Sequence, residues 1–342
     1  MINISKLVRP NILNLKPYSS ARSEFSGKEG IFLDANENPY GSLNRYPDPF
    51  QRELKDKIAG IKECDSRNLV IGNGSDEIID LVFRIFCEPG KDKAMIFSPS
   101  YGMYRVAAEI NNTEVVDIPL DKDFQIDQEK TKPYLDRPDL KLVFVCSPNN
   151  PTGNIMNRET VTFLLENFRG IVIVDEAYSD FSQEPSWLDR ITKYNNLVVI
   201  QTFSKAWGLA AARLGMAYAC EEIVALLNKV KPPYNISSIN QQAAMDALQD
   251  PGKKNRTVAL LMKEKEKLVK ALRSMERVKK IYPSRANFLL IEVDNADELY
   301  RELVSEGIIT RNRHREIANC LRVTVGTPEE NEMLINAINK LQ

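Results

Sequence analysis

A lysine in a position suited to chemistry follows the apolar run Leu197-Val198-Val199-Ile200, within the stretch Thr202-Phe203-Ser204-Lys205-Ala206-Trp207-Gly208. Open α/β sheets bind their ligands at the carboxyl ends of buried strands, where Lys205 is expected to lie. A charged ammonium group is costly at a half-buried strand end, and the neutral amine is a nucleophile that condenses with aldehydes. Taken alone, a lysine after a strand is more typical of a solvated turn, so other residues must decide.

Three further polar motifs follow strand-like apolar runs. They are Ser98-Pro99-Ser100-Tyr101-Gly102 after Ala94 to Phe97, Ser147 to Gly153 with Asn150 after Leu142 to Val145, and Asp175-Glu176-Ala177-Tyr178 after Ile171 to Val174. Because the carboxyl ends of parallel strands meet at one edge of a sheet, we expect these motifs and Lys205 to converge there. A single aspartate at a strand end is usually a cap or part of a turn.

An anion site is predicted where Leu69-Val70-Ile71 leads into Gly72-Asn73-Gly74-Ser75-Asp76. The next segment, Ile78 to Phe86, is apolar nearly all round and indicates a buried helix, with Ser75 or Asp76 as its N-cap. Glycines before a helix let a ligand approach the free amides at its positive dipole end. A simply capped core helix remains the alternative.

Apolar runs alternate with helical lengths through the middle of the chain, and this alternation sets the fold class. The runs continue at Val115 to Ile118, Leu197 to Ile200 and Met216 to Ala219. We predict an α/β fold with a mostly parallel central sheet between helices and a smaller α+β domain. The predicted division is an N-terminal arm over residues 1–45, a large domain over 46–235 and a small domain over 236–342.

The bulk composition favours small-molecule partners. The 342 residues include 46 basic and 47 acidic side chains, so the net charge of −1 favours neither nucleic acid nor an anionic membrane. No apolar run has the length of a signal peptide or a bilayer span, which predicts a cytoplasmic protein. Five scattered cysteines without a CxxC pair and a single histidine, His314, argue against disulfides and a structural metal site.

The motifs together match the needs of a cofactor with an aldehyde, an aromatic nitrogen, a phenolate and a phosphate. Lys205 would hold the aldehyde, and Asp175 would face the ring nitrogen as an ionised carboxylate. Tyr178 and Asn150 can donate to the phenolate, and Tyr101 can lie against the ring. The remaining predicted ligands, all for the phosphate, are Gly74, Ser75, Asp76, Thr202, Ser204 and Arg213.

The order Asn-Pro-Thr-Gly, Asp-x-x-Tyr, Ser-Lys and an arginine eight residues after Lys205 resembles the pyridoxal-phosphate aminotransferases of the aspartate aminotransferase fold. Within them, the most similar motifs are those of the histidinol-phosphate aminotransferases. These motifs are Pro17 to Arg22, Asn36-Glu37-Asn38-Pro39, Arg45-Tyr46-Pro47, Phe86 to Gly90, Cys146 to Gly153 and Asn319 to Gly326. Trp207 and Ala211 depart from the family's usual Phe and Gly, which we interpret as local packing variation.

The resemblance implies pyridoxal 5'-phosphate as cofactor and catalytic roles for Lys205, Asp175 and Tyr178. It also implies a homodimer in which the neighbour contributes Tyr46 to the cofactor phosphate. The implied reaction is ping-pong transamination of L-histidinol phosphate with 2-oxoglutarate, giving imidazole acetol phosphate and L-glutamate in histidine biosynthesis. A substrate phosphate would be held by Tyr18, Asn150, Arg311 and Arg322.

Arg322 can be placed independently, because alternation in its strand puts Leu321, Val323 and Val325 on one face and Arg322 on the other. Two guanidiniums suit a phosphate monoester, although Arg322 alone would equally suit an α-carboxylate, and Arg311 could be a solvated loop residue. The alternatives are an aromatic or broad-range aminotransferase, an amino-acid-phosphate decarboxylase of the same fold, or a non-catalytic domain that senses the cofactor.

Overall fold

A seven-stranded sheet forms the core of the computed structural model of the chain, which describes residues 2–19, 21–25 and 30–340. Its strands are β1 (Leu69–Asn73), β2 (Lys93–Ser98), β3 (Glu114–Pro119), β4 (Leu140–Cys146), β5 (Ile171–Asp175), β6 (Leu197–Thr202) and β7 (Leu214–Ala219). Their order is β1-β7-β6-β5-β4-β2-β3, and only β7 runs antiparallel to its neighbours. The mostly parallel sheet predicted from the apolar runs is confirmed.

Helices cover both faces of this sheet. The helices of the described chain are α1 (Pro10–Leu13), α2 (Ala21–Glu24), α3 (Arg52–Lys62), α4 (Ser75–Phe86), α5 (Met103–Ile110), α6 (Gln128–Leu135), α7 (Arg158–Asn167), α8 (Glu221–Val230), α9 (Ser238–Ala247), α10 (Pro251–Leu272), α11 (Ala296–Ser305) and α12 (Pro328–Lys340). Side chains of β5 and β6 alternate between a core shared with α3, α7 and α9 and a core shared with α4, α5 and α8. This two-sided burial explains why these strands read as continuous apolar runs.

A second, antiparallel sheet consists of β8 (Val278–Ile281), β9 (Phe288–Val293), β10 (Arg311–Asn312) and β11 (Cys320–Thr324), in the order β10-β11-β9-β8. One face packs on α10, α11 and α12 through residues such as Leu321 and Val323. The other face carries Arg322, as the alternation in its strand predicted, and Arg322 lies opposite Arg311 in the register.

One local expectation is wrong. The N-cap of α4 is Gly74 rather than Ser75 or Asp76, so no side chain caps that helix. The long helix α10 begins at Pro251, and Lys265 within it is buried, with its Nζ donating to the carbonyls of Ser284 and Ala286, both at 2.9 Å.

The N-terminal arm is less extended than its composition suggests. Ile4, Val8 and Ile12 are buried in the core that contains α4 and α8, and short helical turns occupy Ile4–Lys6 and α1. Within the described part of the chain, no helix combines the length and the apolar character that a bilayer crossing requires.

Candidate active site

A polar pocket lies at the carboxyl ends of β4, β5 and β6, where the sequence motifs were expected to meet. It is lined by Ser75, Asp76, Tyr101, Cys146, Asn150, Asp175, Ala177, Tyr178, Thr202, Ser204, Lys205, Ala210 and Arg213. The structure thus brings together most of the residues singled out from the sequence. Gly74 lies directly beside the pocket, next to Arg213. Tyr46 does not line the pocket of its own chain.

Asp175 is held rigidly at the base of the pocket. It is 3% exposed, its Oδ2 accepts a hydrogen bond of 2.7 Å from the Tyr104 hydroxyl, and its Oδ1 accepts one of 3.0 Å from the amide of Ala177. Burial raises the pKa of Asp175 above its ordinary value, and these two donors act against that rise. A cationic group placed beside this carboxylate would therefore be strongly stabilised.

Lys205 is reached by solvent through the pocket, so the half-buried position expected from the sequence is only partly realised. The surrounding protein nevertheless lowers the pKa of its amine by desolvation, and the positive charge of Arg322 lowers it further. Its Nζ lies 5.7 Å from the centre of the Tyr178 ring. The amine is thus accessible to a small molecule and loses its proton more easily than an ordinary lysine.

A chain of hydrogen bonds joins the two sheets across the pocket. The Nδ2 of Asn150 donates to the Tyr178 hydroxyl at 3.3 Å, and the Nη1 of Arg322 donates to the Oδ1 of Asn150 at 2.5 Å. The Tyr178 ring packs edge-on against Phe288 of β9 at 5.1 Å. Asn150 therefore contacts both Tyr178, which follows β5 of the large sheet, and Arg322 of the second sheet.

The amino end of α4 lies where an anion site was predicted from the glycines. Gly74 has a φ of +77°, and a Cβ at this position would lie 2.5 Å from the Nη2 of Arg213. Arg213 pairs with the Oδ2 of Asp76 at 3.2 Å, and the Tyr101 hydroxyl donates to the Oδ1 of Asp76 at 3.0 Å. Glycine is favoured here because a φ of +77° is a left-handed conformation that other residues rarely adopt, and it also leaves room for the guanidinium beside the helix N-terminus.

The donor set fits pyridoxal phosphate. The buried carboxylate of Asp175 suits a protonated ring nitrogen, and the reachable amine of Lys205 suits an aldehyde. The α4 amides, Arg213 and the hydroxyls of Thr202 and Ser204, which are 3.0 Å apart, suit a phosphate group. Tyr101 contacts Tyr104 edge-on at 5.5 Å and borders the space above Asp175.

The remaining predicted residues lie outside this pocket. Tyr46 is 49% exposed and stacks on Tyr234 with ring centres 4.5 Å apart, and Tyr18 is 71% exposed. Arg311 is exposed on β10. His314 is exposed, and its Nδ1 accepts a hydrogen bond from the amide of Asn319 at 3.0 Å.

Tyr104 and Cys146 were not foreseen as site residues. Tyr104 is fully buried and stacks on Phe144 at 4.8 Å, which aims its hydroxyl at Asp175. In the sequence Tyr104 resembles a core residue, since it lies in the first turn of α5, after the loop that contains Tyr101. Cys146 ends β4 beside Asp175, and a residue at that strand end is expected in the site on topology alone.

The fold and the pocket define the class of the protein. A sheet of this order that presents a lysine and a buried aspartate beside a helix N-terminus is the arrangement of pyridoxal-phosphate-dependent enzymes of the aspartate aminotransferase fold. Comparison with known proteins agrees, since residues 31–338 match the family model for aminotransferase class I and II.

Individual relatives sharpen this assignment. The chain is 48% identical over 345 residues to the histidinol-phosphate aminotransferase of Parabacteroides distasonis, covering 100% of both chains. Its structure is similar to that of the histidinol-phosphate aminotransferase from Clostridium acetobutylicum (TM-score 0.80, 27% identity, 87% and 91% of the two chains). The same fold occurs in the Sinorhizobium meliloti enzyme solved with pyridoxal-5'-phosphate (TM-score 0.78, 21% identity, 90% of each chain). The chain belongs to the class I and II aminotransferases and, within them, to the histidinol-phosphate aminotransferase family.

Proposed function

We propose that this protein transfers the amino group of L-histidinol phosphate to 2-oxoglutarate, giving imidazole acetol phosphate and L-glutamate in histidine biosynthesis. The observation that carries this proposal is the joint presence of the Lys205 amine and the Asp175 carboxylate in one pocket, in a chain similar to its relatives over its full length. Pyridoxal phosphate, when bound, supplies an aldehyde that reacts with amines and a ring that withdraws electrons from the substrate carbon.

Lys205 acts as the proton carrier. Its Nζ has a lowered pKa, so the neutral amine is populated closer to physiological pH than that of an ordinary lysine. As general base it takes a proton from the substrate carbon that bears the amino group, and as general acid it would then give that proton to the aldehyde carbon of the bound cofactor. The ring of Tyr178, with its centre 5.7 Å from Nζ, borders the space in which the amine moves.

Asp175 would hold positive charge on the ring nitrogen of a bound cofactor. Two hydrogen bonds orient its carboxylate, and burial excludes water that would otherwise screen it. Its raised pKa falls again once a cation lies beside it, since an opposite charge favours the ionised carboxylate. Tyr178 and Asn150 stabilise the neighbouring phenolate oxygen as hydrogen-bond donors.

The substrate phosphate lies between the two sheets in this proposal. Arg322 and Asn150 are already in contact at 2.5 Å, and Arg311 lies opposite Arg322 on the neighbouring strand. Guanidiniums match the near-double negative charge of a phosphate monoester better than that of a carboxylate. Tyr18 completes this group by donating from the N-terminal arm.

A homodimer completes the site, with Tyr46 of one protomer reaching the cofactor phosphate of the other. Large apolar side chains of the arm, including Ile31, Leu33 and Tyr40, are 92%, 89% and 85% exposed, which a second copy would cover. Glu37 anchors the Tyr46 backbone, since its Oε1 accepts from the Tyr46 amide at 2.6 Å.

We place the dimer in the cytoplasm and propose the division into an arm (1–45), a large domain (46–235) and a small domain (236–342).

A panel of amino donors tests the substrate. Initial rates with 2-oxoglutarate are measured for histidinol phosphate, phenylalanine and phosphothreonine at matched concentrations. We expect kcat/KM to be highest for histidinol phosphate. A preference for phenylalanine would identify an aromatic aminotransferase, release of carbon dioxide from phosphothreonine would identify a decarboxylase, and a lack of any single-turnover spectral change would leave only a cofactor-sensing role.

A further inference from the structure

Arg313 lies on the substrate face of the second sheet, although only Arg311 and Arg322 were assigned there. The amide of Arg313 donates to the carbonyl of Cys320 at 2.9 Å, which extends the pairing in which Arg311 lies opposite Arg322. Side chains alternate along a strand, so Arg311 and Arg313 share the face of Arg322. Asn312 points the other way and donates to the Oδ1 of Asp297 at 2.6 Å. Three guanidiniums therefore project from one face.

The Arg313 side chain is enclosed but incompletely satisfied. It is 16% exposed, and its Nη1 pairs with the Oε1 of Glu316 at 3.1 Å. Its Nε is buried and has no hydrogen-bond partner among residues 2–19, 21–25 and 30–340. A buried donor without an acceptor is costly unless a ligand supplies that acceptor.

The charge of Arg313 reaches the active site. Burial is the main reason why the pKa of Arg322 is lowered, and the charge of Arg313 lowers it more than that of Arg311 does. Burial raises the pKa of Tyr178, while Arg322 and then Arg313 act in the opposite direction. The charge of Arg313 thus lies within electrostatic range of both Arg322 and Tyr178.

We propose that Arg313 is a third cation of the substrate-phosphate subsite. Its ion pair with Glu316 is exchanged for a contact with the phosphate when a phosphate monoester binds. This inference rests on the proposed function and deepens it. A doubly charged phosphate offers three acceptor oxygens, enough for three guanidiniums, whereas a carboxylate offers two oxygens and one charge. Arg313 therefore favours the phosphate-bearing amino donor over the dicarboxylate acceptor that shares Arg322.

Glu316 is suited to such an exchange of ion-pair partners. Its side chain is 46% exposed, and it lies three residues from Arg313 in a turn whose amide at Glu316 donates to the carbonyl of Arg313 at 3.0 Å. Because the Glu316 carboxylate is accessible to water, it can leave Arg313 at small cost when a ligand phosphate takes its place. Competition between Glu316 and the ligand gives the two residues opposite effects on phosphate affinity.

The test compares three charge-removing variants of the holoenzyme, Arg313→Gln, Glu316→Gln and Arg315→Gln. Arg315 is an exposed arginine of the same turn and serves as the matched control. We expect Arg313→Gln to raise KM for histidinol phosphate about tenfold and Glu316→Gln to lower it about twofold. KM for 2-oxoglutarate should stay within about twofold in all three variants, and Arg315→Gln should match the wild type.

The opposite signs separate a ligand-binding role from a structural one. A purely structural ion pair would make Arg313→Gln and Glu316→Gln change KM in the same direction, which would overturn the proposal. An equal rise in KM for both substrates in Arg313→Gln would overturn its selectivity for phosphate.

A second measurement does not depend on the donor panel. It determines the inhibition constant of inorganic phosphate, as a competitive inhibitor, with any amino donor that the enzyme turns over. Weaker inhibition of Arg313→Gln than of Arg315→Gln supports a phosphate subsite even where histidinol phosphate is not the preferred donor. Equal inhibition of these two variants overturns the proposal. Failure of histidinol phosphate as a donor for the wild type concerns the proposed function alone.

Discussion

On the first sheet, Asp175 is only 3% exposed and both of its carboxylate oxygens accept hydrogen bonds. On the second sheet, Arg311 is exposed, and the Nε of Arg313 has no hydrogen-bond partner in the described chain. The cofactor half of the site is fixed by long strands that are buried on both faces. The substrate half depends on a two-residue strand, β10, and on charges near solvent. Changes in the first half should therefore lower kcat, and changes in the second half should mainly raise KM.

The largest effect is expected for Lys205→Ala, which removes the proton carrier. General acid–base catalysis alone contributes about 10²- to 10⁴-fold, and loss of the nucleophilic amine adds to this, so kcat should fall by roughly 10⁴-fold or more. Steady-state kinetics with histidinol phosphate and 2-oxoglutarate measure the change. Lys263→Ala, an exposed lysine of α10, is the control and should retain wild-type activity. Activity of Lys205→Ala within tenfold of the wild type would refute the assigned role.

A smaller loss, about 10³-fold in kcat, is expected for Asp175→Asn, because the amide keeps the shape but cannot stabilise a ring cation. The same variant should be more stable than the wild type without cofactor. Burial raises the pKa of Asp175 in the folded state, so the ionised carboxylate costs stability at neutral pH. The gain in Tm of the cofactor-free protein should therefore be present at pH 7 and disappear as the pH falls below the ordinary carboxyl range.

Melting curves at several pH values decide the stability part of this prediction. An equal change in Tm at neutral and acidic pH would show that packing, rather than charge, determines the effect of Asp175→Asn.

In the substrate half, Arg322→Gln should raise KM for histidinol phosphate by about 10- to 100-fold while lowering kcat less, since one or two charge-assisted bonds of ~1.5 to 3 kcal/mol are lost. KM for 2-oxoglutarate should also rise, because a carboxylate would use the same guanidinium. Arg315→Gln again serves as the control. A loss confined to kcat would place Arg322 in the cofactor half and remove the contrast between the two sheets.

The same contrast explains what the sequence could predict. Runs such as Ile171 to Val174 must be buried on both faces, so the sheet and the location of Asp175 and Lys205 at its edge followed from periodicity alone. The orientation of short segments did not follow, because it depends on contacts distant in the sequence. Gly74 replaces the expected cap of α4 since Arg213, 139 positions later, packs against its backbone. From the sequence alone, Arg313 resembles a charged residue of a loop. Its backbone pairing with Cys320, which sets the face that its side chain occupies, is visible only in the structure.

The smallest effect is expected for Tyr104→Phe, a residue that periodicity could not distinguish from core. Its hydroxyl donates to Asp175 at 2.7 Å and lowers the pKa of that carboxylate against the effect of burial. Without this donor the pKa of Asp175 rises further, so the acidic limb of the pH profile of kcat/KM should move to higher pH, with about a tenfold loss of activity. Tyr218→Phe is the matched control, since Tyr218 is equally buried and, within the described chain, its hydroxyl hydrogen-bonds to the Met216 sulfur alone, at 3.3 Å. A merely structural tyrosine would lower Tm in both variants and leave both pH profiles unchanged, whereas a positioning role for Tyr104 shifts the profile in Tyr104→Phe alone.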